Sequence, residues 1–216
     1  MRLQSAIFDM DGTLIDSMGM WRKLGPSMLR RLGIEPDGAD EAGLRDKSLR
    51  QKAEYCRTRY DLPQTVEEIM ALGRVVVEDF YRSEVQAKPG VREFLSLLKM
   101  EGVWMYIATA TDRPLVEIAL ARTGLRDFFK GIVTAAEAGG KERPEIFERA
   151  MARLQSNKKD TVIFDDSLYA IRTAKSAGFR VAGVYDNAAK ADQEEIKRLS
   201  DYYILSFEEM FNHTDL

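Results

Sequence analysis

Two aspartates one residue apart, Asp9 and Asp11, follow the short apolar run Leu3–Phe8 and stand in the turn Asp9-Met10-Asp11-Gly12-Thr13. A second acidic pair, Asp165-Asp166, follows the apolar run Val162–Phe164, while Thr109 ends a third run and Lys141 lies in a loop after a fourth. Carboxylates are hard oxygen donors of the kind Mg2+ prefers. A cluster of them repels itself, and repels an approaching phosphate dianion, unless a divalent cation and a lysine offset the charge. Lys141 is placed to supply that second positive charge. Thr109 offers a hydroxyl to a phosphate oxygen, the amides of the turn after Asp9 offer more donors, and Gly12 lets that turn bend sharply back.

Each signal alone has an ordinary reading. Asp-x-Asp is usually a solvated turn, and Asp-Asp before Ser167 often a helix start. Thr109 and Thr111 equally suit strand-end residues that cap the next helix, and most lysines are solvated. The coincidence of four signals on one rim is what those readings leave unexplained, because in open parallel sheets ligands bind beyond the carboxyl ends of the strands.

The elements that must position these residues follow from the pattern of the chain. After Lys88-Pro89-Gly90, strand-length apolar runs (103–109, 132–134, 161–164, 180–184, 202–205) alternate with helical stretches (91–100, 114–123, 144–154, 168–177, 189–199), and the tail is weakly helical. That alternation predicts βαβ units and a parallel sheet. Between Asp16 and Ala87 no strand pattern is found, and Gly25-Pro26, Gly33, Pro36-Asp37-Gly38 and Asp61-Leu62-Pro63 divide this stretch into roughly four helices. The expected fold is therefore α/β, a doubly wound parallel sheet formed by residues 1–15 and 88–216, interrupted by an all-helical insert over 16–87. The two seams, Asp16–Gly19 and Ala87–Gly90, contain small or turn-forming residues that suit a hinge.

Composition narrows the class. The 216 residues are 45% hydrophobic and 31% charged with a net charge of −3, an ordinary globular balance with no basic cluster for nucleic acid. No apolar run is long enough for a membrane helix, and an acid at position 9 precedes any signal-peptide core. Cys56 is the single cysteine, which excludes an intrachain disulfide and fits a reducing cytoplasm. It stands in a helical pattern, and the single histidine, His213, is at the tail, so Cys56 has no base and is expected to be structural.

The run Asp9-Met-Asp-Gly-Thr-Leu-Ile-Asp-Ser resembles the first signature of the haloacid dehalogenase superfamily, hydrophobic-Asp-x-Asp-Gly-Thr. Tyr-Ile-Ala-Thr109 is similar to the second motif, Lys141-Glu-Arg-Pro-Glu-Ile-Phe to the third and Phe-Asp165-Asp166-Ser-Leu-Tyr-Ala-Ile to the fourth, in family order over nearly the whole chain. The insert resembles the helical type 1 cap of the phosphoglycolate phosphatase and β-phosphoglucomutase-like branch. The resemblance implies that Asp9 attacks phosphorus and that Asp11 protonates the leaving oxygen and then activates water, its carbonyl binding Mg2+. Asp165 and Asp166 complete the metal site, with Asp166 expected as direct ligand, and Thr109, Ala110, Lys141 and Gly12 are the expected phosphate contacts. Two departures stand out: Glu142 where proline is usual, an acid expected to soften the charge of Lys141, and Ala170 where glycine is common.

The implied activity is a magnesium-dependent phosphatase acting on a small phosphorylated metabolite in the cytoplasm, with a monomer as the default state. Dehalogenation does not fit, because that branch lacks the second aspartate of the first motif and uses no metal. A β-phosphoglucomutase-like mutase is the alternative, disfavoured because the insert has no histidine; a non-catalytic phosphate-binding module is the other. Substrate choice is expected to lie in the insert, with Met18–Trp21 and the Leu44–Arg50 turn as candidate regions. Trp21, Arg45, Lys47 and Arg50 are the named candidates there, against the plainer reading of a packed tryptophan and a solvated charged face.

Overall fold

A computed structural model describes residues 3–44 and 47–212. Two compact units divide the chain: Met1–Asp16 with Val85–Leu216, and Ser17–Glu84.

The first unit is built on a six-stranded, all-parallel sheet. Its strands are β1 (Ser5–Phe8), β2 (Trp104–Thr109), β3 (Ile132–Thr134), β4 (Thr161–Asp165), β5 (Arg180–Val184) and β6 (Tyr202–Ile204), in the spatial order β3-β2-β1-β4-β5-β6. β1 is therefore central, and all four of its residues are buried, as expected of a parallel strand covered on both faces. The alternation of side chains sorts the core into two layers. Ile7 and Ile163 face one layer with Ile146, Phe147, Ile171, Ala174 and Ile196. Phe8 faces the other, stacked on Phe164 at 4.4 Å between ring centroids and edge-on to Phe94 and Phe129 at 6.5 and 6.0 Å. The order reverses between β2–β3 and β4–β6 beside β1, so the carboxyl end of β1 is the topological switch point where such sheets open a crevice.

The first unit also carries, in chain order, helices Val91–Met100, Arg113–Thr123, Ala135–Ala138, Glu145–Arg153, Leu168–Ser176 and Gln193–Leu199. The sequence expectation of one helix over 189–199 is corrected. Ala189 leaves helical geometry (φ −95°, ψ 21°), and a 3-10 turn over Asn187–Asp192 precedes a shorter α-helix. The short helix Ala135–Ala138 had no expectation; Thr134 and Glu137 close a reciprocal capping box around it.

The second unit holds helices α1 (Met18–Arg31), α2 (Gly38–Leu44), α3 (Leu49–Arg59) and α4 (Val66–Ser83). Leu24, Met28, Leu29, Cys56, Ile69 and Val77 are among its buried apolar residues. Gly25-Pro26, read from sequence as a break, lies inside α1. Gly25 is buried there because α2 packs against it: a Cβ at this position would lie 2.7 Å from Leu44 Cβ. Ser48 and Thr65 begin α3 and α4 with complete capping boxes. A buried acid, Asp40, ties α2 to α3 by accepting from Tyr60 Oη at 2.6 Å and Tyr55 Oη at 3.2 Å, with Arg59 Nε at 2.7 Å.

Residues 85–87, assigned to the insert from sequence, pair with the chain leaving the first strand. Asp16 N–H donates to Gln86 O at 3.0 Å and Lys88 N–H to Leu14 O at 2.9 Å, so both crossings belong to the first unit.

Candidate active site

The sheet delivers the acidic residues to one rim. Asp9 follows the last residue of β1, Asp165 ends β4, and Asp9 N–H donates to Phe164 O at 2.9 Å, which locks the two strand ends side by side. Asp9, Asp165 and Asp166 are all buried, and each offers one carboxylate oxygen within 4.8 Å of the others. Lys141 comes from the loop that follows β3 and is 2% exposed, so the solvated-lysine reading does not hold. Its Nζ lies 2.9 Å from Asp9 Oδ2 and 2.7 Å from Asp165 Oδ2. Burial works against its charge, but Asp165 and Asp9 outweigh it and push the ammonium well above the ordinary lysine range. Glu142 does not soften that charge: it is exposed and turned toward Gly140, where a Cβ would lie 2.7 Å from its Oε2. Ala170 is fully buried in the core layer.

The acids differ in what already holds them. Asp165 Oδ1 accepts from Ser167 N at 2.9 Å and Ser167 Oγ at 2.6 Å, so this carboxylate, rather than a capping side chain, organises the start of the helix that follows. Asp166 Oδ1 accepts from Thr13 Oγ1 at 2.8 Å. Asp9 Oδ2 faces Lys141, whereas Asp9 Oδ1 is buried without a hydrogen-bond partner. Burial above all raises the Asp9 carboxyl to about 7; Lys141 opposes the rise, and Asp165 and Asp11 reinforce it. Asp166 is likewise pushed well above the usual carboxylate range, by burial first and then by Asp9 and Asp165.

Such a cluster suits a divalent cation. Asp9 Oδ1 is orphaned, and burial above all, reinforced by the neighbouring acids, makes the Asp9 and Asp166 carboxyls ionise with difficulty. The donors are all oxygen, which suits Mg2+ rather than a softer metal.

Asp11 is half-buried, and its Oδ2 accepts from Thr111 Oγ1 at 2.7 Å. Thr111, which the sequence left between a capping and a functional role, thus holds the second aspartate of the turn. Its own N–H donates to Thr109 Oγ1 at 3.2 Å, leaving the buried Thr109 hydroxyl its proton to donate elsewhere. Ala110, between them, is exposed. Gly12 adopts φ +77°, and a Cβ on it would lie 2.4 Å from Asp166 Oδ2, so glycine is required twice over. Its amide is spent on Ile15 O at 3.1 Å, so the residue shapes the turn rather than offering that donor.

Of the candidates in the helical unit, Trp21 is half-buried and donates from Nε1 to Tyr81 Oη at 3.2 Å. Arg50 is exposed and paired with Glu67 at 3.0 Å and Glu54 at 3.9 Å, and Lys47 is exposed, which favours the solvated-face reading for both. Arg45 and His213 lie outside the described residues. Cys56 is buried and its thiol is pushed up to about 11, by burial first and then by Asp40, as befits a structural residue.

Sequence reasoning missed Thr13, which orients Asp166, and Lys88, which was read as part of a turn. The Lys88 ammonium donates to Gly12 O and, at 2.8 Å, to Tyr185 O, and it pairs with Asp186 Oδ2 at 2.9 Å. A lysine before Pro-Gly carries no sequence signal for such partners, which come from the far ends of the unit.

Residues 6–184 match the family described as haloacid dehalogenase-like hydrolase. Hexitol phosphatase B of Escherichia coli K12 is 27% identical over 217 residues, 97% of this chain and 95% of that protein. A bifunctional riboflavin kinase/FMN phosphatase of Arabidopsis thaliana is 27% identical over 186 residues; the match takes in 82% of this chain but 47% of the plant protein, about half its length. Among solved structures, CbbY from Rhodobacter sphaeroides in complex with phosphate superposes with a TM-score of 0.79 at 23% identity, covering 96% of each chain, which is a likeness of fold. No helix among the described residues is long and apolar enough to cross a membrane.

Proposed function

The chain belongs to the haloacid dehalogenase-like hydrolases and is an enzyme of their phosphatase kind; on that premise we propose that it hydrolyses a small phosphate monoester by way of a phosphoryl group carried on Asp9. The observation that carries this reading is a buried carboxylate at the end of the central strand with one oxygen bare and the other facing a buried lysine.

Asp9 attacks phosphorus, the bond from phosphorus to the ester oxygen breaks, and Asp11 gives its proton to the departing alkoxide. Asp11, now a carboxylate, takes a proton from water. The water oxygen bonds to phosphorus, the bond to Asp9 breaks, and inorganic phosphate leaves with the Asp9 carboxylate restored. Lys141 offsets the charge of the transferring group, and the Thr109 hydroxyl donates to one of its oxygens. Thr111 holds Asp11 toward the reacting centre through its 2.7 Å bond. Asp9 and Asp166, with Asp165 and the Asp11 carbonyl, are the groups that would hold Mg2+, which when bound supplies neutralising charge to carboxylates and phosphate alike. Asp165 has a further part, since its contact with Lys141 keeps the ammonium beside Asp9.

The helical unit is proposed to select the substrate, with the half-buried Trp21 as the residue to vary first. The names of the relatives support beginning with phosphorylated sugars and polyols and including a flavin nucleotide. The test is phosphate release from such a panel with Mg2+ or with chelator, with Asp9→Asn in parallel. The reading expects one group of esters to turn over only with metal, and Asp9→Asn to retain less than about a thousandth of that activity. No hydrolysis of any ester by a folded, Mg2+-binding protein would refute it and favour a mutase or a binding module.

A further inference from the structure

We propose that Lys88 is a positioning residue for Asp11: its ammonium fastens the turn carrying Asp11, Gly12 and Thr13 to the carboxyl end of β5. This rests on the reading of Asp11 as general acid and base.

The turn is well bonded within itself. Leu14 N–H and Ile15 N–H both donate to Met10 O, at 2.9 and 3.1 Å, and Gly12 N–H donates to Ile15 O. Those bonds give the turn its shape but do not place it relative to the rest of the rim. Lys88 grips it from outside at two points, through its main-chain N–H on Leu14 O and its ammonium on Gly12 O. The same ammonium reaches Tyr185 O and Asp186 Oδ2, both just beyond β5. Three donors meet three acceptors, the full capacity of a lysine.

The bridge is shielded and rigid. The Lys88 and Asp186 side chains are 14% and 8% exposed, and the other Asp186 oxygen accepts from Ala188 N at 2.8 Å, so the carboxylate has little freedom. The gripped carbonyl belongs to the residue between Asp11 and Thr13. Asp11 lies on one side of it and Thr13, which orients Asp166, on the other. Releasing Gly12 O therefore loosens the Gly12–Thr13 peptide, one residue beyond Asp11, and with it the turn from which Asp11 reaches its Thr111 partner, while Asp9, Lys141 and Thr109 keep their own strand-end and ion-pair anchors. Lys88 also lies only a few residues past the point where the chain returns from the helical unit, which ends at Glu84.

The consequence is specific to proton delivery. A poor leaving group, such as the alkoxide of an alkyl phosphate, needs the acid; a nitrophenolate leaves without it. The quantity to measure is kcat/KM, which reports phosphoryl transfer to Asp9 and excludes the later hydrolysis of the intermediate. For Lys88→Met, with Mg2+ present, we expect kcat/KM on an alkyl phosphate to fall at least about 30-fold and on p-nitrophenyl phosphate by less than about threefold. Equal falls on both esters mark a general structural loss and overturn the proposal, as does no change on either. If Lys88→Met does not fold, Asp186→Asn carries the test, because it leaves both carbonyl contacts of the lysine in place. It is expected to lose about 3- to 10-fold on the alkyl ester alone, and a uniform loss or none overturns the proposal. A wild-type protein inactive on both esters would refute the hydrolase reading and this proposal with it; active wild type with an unselective Lys88 variant refutes the proposal alone.

Discussion

Asp9 joins two properties that oppose each other: the proposed reaction needs it ionised to attack, and its surroundings resist ionisation. Its carboxyl is raised from 3.8 to about 7, so between those values the folded state holds a proton that the unfolded chain has released. The folded state then binds more protons than the unfolded one, and this contribution to stability declines as pH rises through the window. A bound cation replaces the proton, so Mg2+ is expected to raise the melting temperature more at about pH 7.5 than at about pH 5. The check is thermal unfolding with Mg2+ and with chelator at both values; a shift independent of pH would contradict it. Asp40, Glu137 and Asp201 do not confuse the result. Burial alone would raise each, but their hydrogen bonds and cationic neighbours hold them below the usual range, so the stability they contribute is lost only as pH falls through the ordinary carboxylate range and not between the two values compared. Gly12→Ala is the steric counterpart. Its Cβ meets Asp166 Oδ2 and its φ is in the left-handed region, so a loss of kcat/KM of about 100-fold or more is expected, with Mg2+ affinity weakened by isothermal titration. At this scale the acids, Thr109 and Lys141 were legible because each stands at or after the end of a strand-length apolar run. Lys88 and Thr13 were not, because what distinguishes them is a partner brought from a distant segment.

The elements were legible where one periodicity dominated. β1, β2 and β4 are apolar on both faces, and the helix Val91–Met100 follows a glycine and shows a clear apolar stripe, so their bounds could be read to within a residue or two. The failures have local causes. Gly25-Pro26 has the composition of a break, yet packing holds α1 through it, at a cost of about 3 kcal/mol for an interior proline. Gly25 is where α2 comes closest, which leads to a stability prediction. Gly25→Ala gains about 1 kcal/mol of helix propensity but forces its methyl against Leu44 Cβ, a backbone-proximal atom that cannot swing away. A net loss of about 1–2 kcal/mol is expected in denaturant unfolding. Gly73→Ala, whose Cβ meets the far end of Leu49 instead, is expected to cost less. A Gly25→Ala protein as stable as wild type would show that α1 and α2 yield more readily than this packing implies.

For the whole molecule, the strand order explains why chemistry gathers where it does. β1 has β2 on one side and β4 on the other, so Asp9 receives Thr109 from one neighbour and Asp165-Asp166 from the other, with Lys141 arriving after the next strand over. No single segment of sequence contains the site, but alternation of strand and helix was enough to predict that four distant signals would share a rim. The substrate was not legible, since the residues of the helical unit that carry charge are the kind that any solvated helix displays. The account as a whole depends on Asp9 forming a bond to phosphorus. The direct measurement is to quench the enzyme during turnover of its best ester with Mg2+, reduce it with borohydride, and locate the product by peptide mass spectrometry. An acyl phosphate on Asp9 is reduced to homoserine, so conversion of residue 9 in wild type, absent in Asp9→Asn and without substrate, is the predicted result. Turnover with residue 9 unchanged, or with conversion at another aspartate, would contradict it.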